Sequence, residues 1–508
     1  MPNTYISDFK RIVERQPDQI ALIDGVHDIA WNWEELDYLI DRVGAWFSSK
    51  DLNRGDSIVT LLPNSVETLV IFFSCARYGI GMAPLSQSSK AKEVSSWIKM
   101  IDPAALMIAS AAEDSEYSSI RTIKVDIDGE FKWVGESALS PQEDQPCGLL
   151  YIPTSGTTGH PKPLVHDVEI LWESSKAFVD FHEYIRGRRF LNILPMSYIG
   201  GVLNLGLIPL SGGGSIVVVP EFSAGSFFGF WKDVKKYSIE VLWLVPSILR
   251  GLLKLARRTS SDVIREQSRS VRLSLLGTAP IDLKTKVEFE RTFGFPLYEN
   301  FGMSEVAFFV SEHQNNVAMR CEGSVGQVMP FAKIDLRPIS DRSANIDMEV
   351  FDVYVRTPFV PKGYLQEDGK LVNPVEEDGF LRTGDIGRWD ENRNLILSGR
   401  SRDIVKRGSM MVSLRELEIA ALEFGEVEEA AAVPVPHEFY GESSVIFIRM
   451  KENRTAADIK PENIKKFLAQ NLSHHKLPED VRIVDEFPKT NSGKIRKDLL
   501  AESLTSIS

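Results

Sequence analysis

Three stretches of the chain carry residue types and spacings that could do chemistry. In the first, Tyr151-Ile152-Pro153 reads as a β-run and leads into Thr154-Ser155-Gly156-Thr157-Thr158-Gly159, followed by His160-Pro161-Lys162. Glycines let the backbone approach a polyphosphate closely, and successive N–H groups can form an anion nest. The hydroxyls add donors, and Lys162 adds a point charge for phosphate. A flexible surface loop would have the same composition. A mononucleotide P-loop is excluded, because GxxxxGK[ST] occurs nowhere and Gly493-Lys494 is followed by Ile495. The second stretch, Asn300-Phe301-Gly302-Met303-Ser304-Glu305, joins a strand end, a glycine turn and a carboxylate of the kind that holds a hard cation. Alone it also reads as a turn followed by a surface acid. The third, Pro488-Lys489-Thr490-Asn491-Ser492-Gly493-Lys494-Ile495-Arg496, reads by itself as a basic tail in a Ser/Gly loop.

Other chemistries lack their residues. The eight histidines show no HxxxH or HExxH spacing, so a metallohydrolase is not supported, and His160 and His166 read as bystanders of the glycine-rich loop. No Gly-x-Ser-x-Gly with triad partners occurs. Cys75, Cys147 and Cys321 lie far apart without CxxC spacing and read as small buried hydrophobes in a reducing cytosol. The net charge of −13 argues against nucleic acid or an anionic membrane as the main partner. No basic n-region precedes an apolar run at the N-terminus, and no segment reaches the roughly 20 apolar residues needed to span a bilayer. The expectation is a cytoplasmic protein without integral membrane association.

The elements that must position these stretches alternate in helical and strand pattern, which indicates α/β architecture. Leu36, Leu39, Ile40, Val43 and Phe47 fall on one helical face, and Asn32 with Glu35 predicts a capping box at its start. Ser57–Leu62 predicts a strand stopped by Pro63, and Asn64 opens a helix ending near Gly79. Further buried strands are expected at 106–110, 148–152, 190–194, 215–219, 241–245, 273–276 and 297–300, several separated by enough chain for crossover helices. The segments 259–270 and 338–345 read as exposed loops. Beyond residue 400 the texture changes to a helix from Leu414, strands at 430–435 and 445–450, a helix near 463–472 and a strand at 481–484. That makes a small α+β domain of about 110 residues.

Together, the glycine-rich loop and five later segments resemble the signatures of the adenylate-forming superfamily, in the family's order. Thr154–Lys162 is similar to TSGTTGxPK, and Asn300–Glu305 to YGxTE. Gly277-Thr278-Ala279-Pro280 resembles GGAP, Thr383-Gly384-Asp385 matches TGD, and Gly399-Arg400-Ser401-Arg402-Asp403 resembles GRxxD. The Pro488–Arg496 segment is similar to PKTxSGKIxR. The resemblance spans nearly the whole chain. It implies a large N-terminal domain of stacked α/β subdomains (residues 1–399), a hinge at 400–402, and a small mobile lid domain (403–508).

By the same resemblance, Gly156, Gly159 and their Thr and Ser neighbours with Lys162 cradle the phosphates of ATP. Gly277, Ala279 and Pro280 wall the adenine pocket, Phe301 stacks on adenine beside Asn300 and Gly302, and Ser304 contacts phosphate. Glu305 ligates Mg²⁺. Asp385 accepts from the ribose hydroxyls, a sensible task for a group that only accepts, and Arg400 lies nearby. Lys494 is the implied catalytic lysine, bridging the substrate carboxylate and the α-phosphate. The segment Lys406-Arg407-Gly408 is similar to the coenzyme A ligase form of the lid. The implied reaction activates a small carboxylic acid as acyl-AMP and passes the acyl group to coenzyme A. A free-standing ligase loading a carrier protein is the runner-up, and a non-catalytic nucleotide-binding scaffold is the reading from another class. Four departures stand out: Pro163 after the PK pair, Phe301 for Tyr, Leu414 for Pro, and Tyr198 where many acyl-CoA ligases have His. The last lies in the acyl-pocket region, with Trp243, Phe308 and Phe309 as further aromatic candidates.

Overall fold

The computed structural model describes residues 4–505, apart from 114–116, 118, 142–143, 154–161, 279–280, 340–349, 401–402, 408–409, 439, 452–459 and 491–494. Six short apolar runs form the parallel core of a nine-stranded sheet: Ile20–Asp24, Ser215–Val218, Arg189–Asn192, Val241–Leu244, Leu273–Leu276 and Leu297–Met303. Antiparallel strands close both edges, Ile29–Asn32 on one side and Ala307–Ser311 with Gln327–Val328 on the other. An eight-stranded sheet has five parallel strands: Leu149–Pro153, Gly81–Pro84, Ser57–Leu61, Ala105–Ala109 and Thr122–Val125. It continues antiparallel through Pro163–Asp167, Gly363–Leu365 and Leu371–Val372. Such all-buried parallel strands need helices on both faces, which explains their near-continuous apolar runs.

One core joins the two sheets. Leu22 and Ile216 of the first and Ile58, Met82 and Leu150 of the second pack against helices Trp33–Ser49, Val66–Tyr78 and Val168–Phe181. The first of these begins with the expected capping box: Asn32 Oδ1 accepts from Glu35 N–H at 2.8 Å and Glu35 accepts from Asn32 N–H at 2.9 Å. The Val66–Tyr78 helix is capped by Ser65 rather than Asn64, ends at Gly79 with φ 72°, and is buried all round from Val66 to Arg77. A helix wrapped on every side loses the usual polar face. Arg77 inside it is neutralised by Asp37 at 2.6 Å and Asp41 at 2.7 Å.

A four-stranded antiparallel sheet comes next, Lys333–Arg337, Phe351–Arg356, Leu381–Trp389 and Leu395–Arg400. From Ile404 onward the chain builds a five-stranded sheet of its own around Val405, Leu414, Leu417, Ile446 and Ile464. Its helix Leu414–Leu422 starts at the expected residue, capped by Ser413. Two expectations need correction. Residues 259–270 contain the helix Ser261–Gln267, anchored by buried Ile264. Cys321 is exposed, although Cys75 and Cys147 are buried as expected.

The hairpin of Leu297–Met303 with Ala307–Ser311 depends on one glycine. The register slips between Phe301 and Gly302, and a Cβ at Gly302 would sit 2.3 Å from the Ala307 carbonyl oxygen. Backbone cannot yield as a flexible side chain does. Gly302→Ala is therefore expected to lower stability by about 1–3 kcal/mol in urea denaturation, the usual cost of overpacking. An unchanged midpoint would show that the hairpin opens freely.

Candidate active site

Parallel strands release their following loops on one edge, and ligand sites of α/β sheets gather there. Strands Arg189–Asn192, Leu273–Leu276 and Leu297–Met303 therefore deliver Pro195–Tyr198, Gly277–Thr278 and Ser304–Glu305 to a common edge of the first sheet. The second sheet contributes Lys162, which stands at the head of the Pro163–Asp167 strand.

Side-chain hydrogen bonds fasten the two sheets together there. His166 Nε2–H donates to the Ser304 carbonyl at 2.7 Å. The Tyr364 hydroxyl donates to Glu305 Oε1. Tyr198 lies within the field of Glu305 and Arg400, and burial raises its phenol pKa, an effect that neighbouring Ser304 opposes. Lys162 Nζ donates to Gln366 Oε1 at 3.3 Å, and Gln366 Nε2 to the Tyr364 carbonyl at 3.2 Å. Lys162 and Glu305 are thus connected through the Gly363–Leu365 strand, whose Tyr364 pairs with Leu164.

His166 is no bystander. Burial pushes its pKa down to about 4, so the ring is neutral near pH 7, and a carbonyl partner requires the Nε2–H tautomer. Its Nδ1 is buried with no hydrogen-bond partner among the described residues. Tyr364 and Gln366 likewise escape a reading of the sequence. An aromatic residue and an amide in a short strand carry no chemical signature, and only the pairing with Leu164 brings them to the site.

Asp385 and Arg400 face each other across neighbouring strands, paired in register, with Arg400 Nε 3.3 Å from Asp385 Oδ1. Thr383 Oγ1 donates to the Val353 carbonyl at 2.9 Å and accepts from Asp385 N–H at 3.0 Å. Gly384 between them has φ 74°, a conformation that favours glycine.

On the first sheet, Asn300 works inside the structure. Its amide donates to the Leu276 and Tyr298 carbonyls at 3.2 and 3.0 Å and accepts from Ser311 at 2.7 Å, which locks the strand end before Gly277. Thr278 holds φ 75°, rare for a β-branched residue. Phe301 meets Phe309 edge-on at 4.8 Å. Beneath this strand, Lys286 joins Glu299 at 3.1 Å and Glu312 at 2.8 Å in full burial, and desolvation lifts the Glu299 carboxyl to about 7. Of the aromatic candidates, Trp243 and Phe308 meet at 5.0 Å with planes tilted by 37°, while Phe309 is fully buried in a different core.

Thr154, Ser155, Gly156, Thr157, Thr158, Gly159, Ala279, Pro280, Gly408 and Lys494 lie outside the described residues. No group of three or more His, Cys, Asp or Glu side chains suited to a metal occurs among the described residues. A cavity of about 720 Å³ lined by Asp24, His27, Asn64, Glu67, Ser197 and Glu221 includes none of Lys162, Glu305, Asp385 or Arg400.

Residues 9–365 match the family model of the AMP-binding enzymes, and residues 416–494 match that of the AMP-binding enzyme C-terminal domain. The chain belongs to the AMP-binding enzyme family. This AMP-binding enzyme is 26% identical to an oxalate–CoA ligase of Arabidopsis thaliana over 97% of both chains. It is also 26% identical to an indoleacetate–CoA ligase of Aromatoleum aromaticum over 95% of this chain and 94% of that one. Its fold matches that of ATP-bound MatB from Rhodopseudomonas palustris with a TM-score of 0.87, 24% identity and full coverage of both chains. No described helix is long and apolar enough to cross a membrane.

The titration of His166 makes this geometry testable. Its folded pKa of about 4 lies below the unfolded value near 6.5, so between these values only the unfolded chain binds the proton. Its contribution to stability is therefore complete above about pH 6.5 and is lost as the pH falls towards 4. His166→Asn should reduce the slope of unfolding free energy against pH in that window by up to one proton. Urea titrations from pH 4 to 7 measure it, and an unaltered slope would mean that the ring protonates freely in the fold.

Proposed function

We propose that this AMP-binding enzyme is an AMP-forming acid–thiol ligase that uses ATP, Mg²⁺ and coenzyme A. The supporting observation is the seam at which Lys162, Glu305 and the Ser304 carbonyl are joined through Gln366, Tyr364 and His166, together with the Asp385–Arg400 pair on the four-stranded sheet. This lies in a chain that matches both parts of the family. A cation, a carboxylate for a hard metal and an acceptor–cation pair meet the needs of a nucleotide triphosphate. The substrate carboxylate attacks the α-phosphorus and pyrophosphate leaves. The thiol then attacks the acyl carbon, and AMP departs with its electron pair.

In this reading Lys162 and the Thr154–Gly159 segment hold the phosphates, Ser304 contacts them, and Glu305 takes the Mg²⁺ that travels with ATP. Phe301 flanks the adenine with Gly277, Ala279 and Pro280, and Asp385 receives the ribose hydroxyls beside Arg400. Residues 1–399 form the large domain, 400–402 the hinge and 403–508 the lid. Lys494 serves the first step, and the Lys406–Gly408 segment the second. The contribution to both steps is positioning and charge neutralisation.

Loss of one metal-ligand charge should exceed roughly 1.4 kcal/mol, so Glu305→Gln should slow pyrophosphate release at least about tenfold at limiting Mg²⁺. Near wild-type rates would remove Glu305 from the metal. The two steps can be separated with Lys494→Ala, which should cripple acyl-AMP formation yet transfer the acyl group from supplied acyl-AMP to coenzyme A at a near-normal rate. Single-turnover rates of each half-reaction test this, and equal slowing of both defeats the assignment. Acyl-AMP that accumulates with coenzyme A but is discharged by a phosphopantetheine-bearing carrier protein would replace coenzyme A as the acceptor.

A further inference from the structure

Beside the strand end that carries Phe301 runs a chain of buried hydrogen bonds that the reaction steps above do not use. It starts at His182, which closes the helix Val168–Phe181 and is fully buried. His182 Nδ1 lies 2.5 Å from the Tyr184 hydroxyl, and Nε2 lies 2.9 Å from Ser311 Oγ. Ser311 Oγ lies 2.7 Å from Asn300 Oδ1. The Asn300 amide nitrogen in turn lies 3.2 Å from the Leu276 carbonyl oxygen and 3.0 Å from that of Tyr298.

The direction of each bond follows from the far end. Two carbonyls can only accept, so they take both N–H groups of Asn300 and leave its Oδ1 as an acceptor. Ser311 has one proton and three acceptors in reach: Asn300 Oδ1 at 2.7 Å, the Glu312 carbonyl at 2.9 Å and the Glu299 carbonyl at 3.5 Å. The proton goes to Asn300, the nearest, whose oxygen would otherwise face a lone pair. Ser311 Oγ then accepts from His182 Nε2–H. Burial holds the imidazole neutral, with its pKa down to about 3, so Nδ1 is bare and accepts from the Tyr184 hydroxyl. Tyr184, His182, Ser311 and Asn300 therefore donate in one direction, and the Leu276 carbonyl receives.

The receiving peptide is the one that enters the Gly277–Thr278 turn. Its carbonyl is held by Asn300, and its N–H, on Gly277, donates to the Leu244 carbonyl at 3.3 Å. Backbone pairing of the two strands ends at Leu276 with Glu299, so beyond that point the Asn300 side chain ties the turn to the strand. Resting on the ligase reading above, we infer that His182 is a positioning residue for the base pocket. Acting through Ser311 and Asn300, it sets the Leu276–Gly277 peptide and the strand end at Phe301, between which that reading puts the adenine. The phosphate side is fastened separately, with Lys162 and Glu305 held through Gln366 and Tyr364.

The test compares binding of Mg·ATP with that of magnesium tripolyphosphate, which has the phosphates without base or ribose. Both are measured by displacement of a fluorescent ATP analogue from wild type and from His182→Phe, His182→Gln and Ser311→Ala variants. His182→Phe keeps a ring and removes both nitrogens. It should weaken ATP binding about fivefold or more, the size of one lost hydrogen bond, and leave tripolyphosphate within about twofold. His182→Gln keeps a donor towards Ser311 and should recover most of the loss. The double variant His182→Phe/Ser311→Ala should bind ATP no more weakly than the weaker single variant, as members of one chain do. Thermal unfolding establishes that each variant folds, and if His182→Phe does not, Ser311→Ala, which breaks the same chain one link on, carries the comparison. Unaltered ATP affinity in a folded variant overturns the inference while leaving the ligase reading intact. Equal losses for ATP and tripolyphosphate, or additive losses in the double variant, do the same. Wild-type protein that binds no ATP would instead remove the ligase reading and this inference with it.

Discussion

The site depends first on the hydrogen bond from neutral His166 to the Ser304 carbonyl. The glycine-rich segment leaves one parallel sheet and the Ser304–Glu305 turn leaves another. Separate sheets share no backbone ladder, so something must fix the distance between these loops. A buried imidazole suits the task because it offers one directed donor without bringing a charge into the interior. The Tyr364–Glu305 and Lys162–Gln366 contacts extend the same seam outward. Each of these bonds is modest, on the order of 1 kcal/mol, but buried donors left unmade cost more, so the seam closes as a set.

Charge is distributed along this seam by function. The chain carries thirteen more acidic than basic side chains, yet Lys162 and Arg400 are the cations of the proposed phosphate side. An overall negative chain can bind a polyanion because a Debye length of about 8 Å confines the influence of distant carboxylates. Deeper in, Lys286 pairs with Glu299 and Glu312, and Arg320 Nε lies 3.2 Å from Glu312, under the strand that carries Phe301 and leads to Ser304. Removing a single member would strand a buried charge, which makes this cluster a rigid footing rather than a source of net stability.

Much of this is legible in the sequence, and the reason is local. The capping box at Asn32, the Gly79 stop, the short apolar strands and the start at Leu414 are written in neighbouring residues, and the structure has them within a few positions. The signature segments are readable because glycines, hydroxyls and charges sit close together in the chain. What escapes depends on long-range pairing. His166 acquires its role from a carbonyl 138 residues away, and Tyr364 from a carboxylate 59 residues away. Asn300 shows its position but not its occupation, since its amide is consumed by Leu276, Tyr298 and Ser311. The Ser261–Gln267 helix reads as loop because one buried isoleucine is too little periodicity to register.

The segment after Tyr198 carries a different consequence. Gly200–Leu207 is wound as a π-helix, with the Ile208 N–H reaching back to the Leu203 carbonyl, and Asn192 donates its amide to the Gly201 and Leu205 carbonyls. A π-turn is an α-turn holding one surplus residue, and it leaves carbonyls without their usual partners. Such a stretch accommodates residues beyond the α-helical repeat without shifting the phase of the helical turn downstream. Asn192 and the surplus residue then form a linked pair, because shortening the helix would remove the carbonyls that the amide serves.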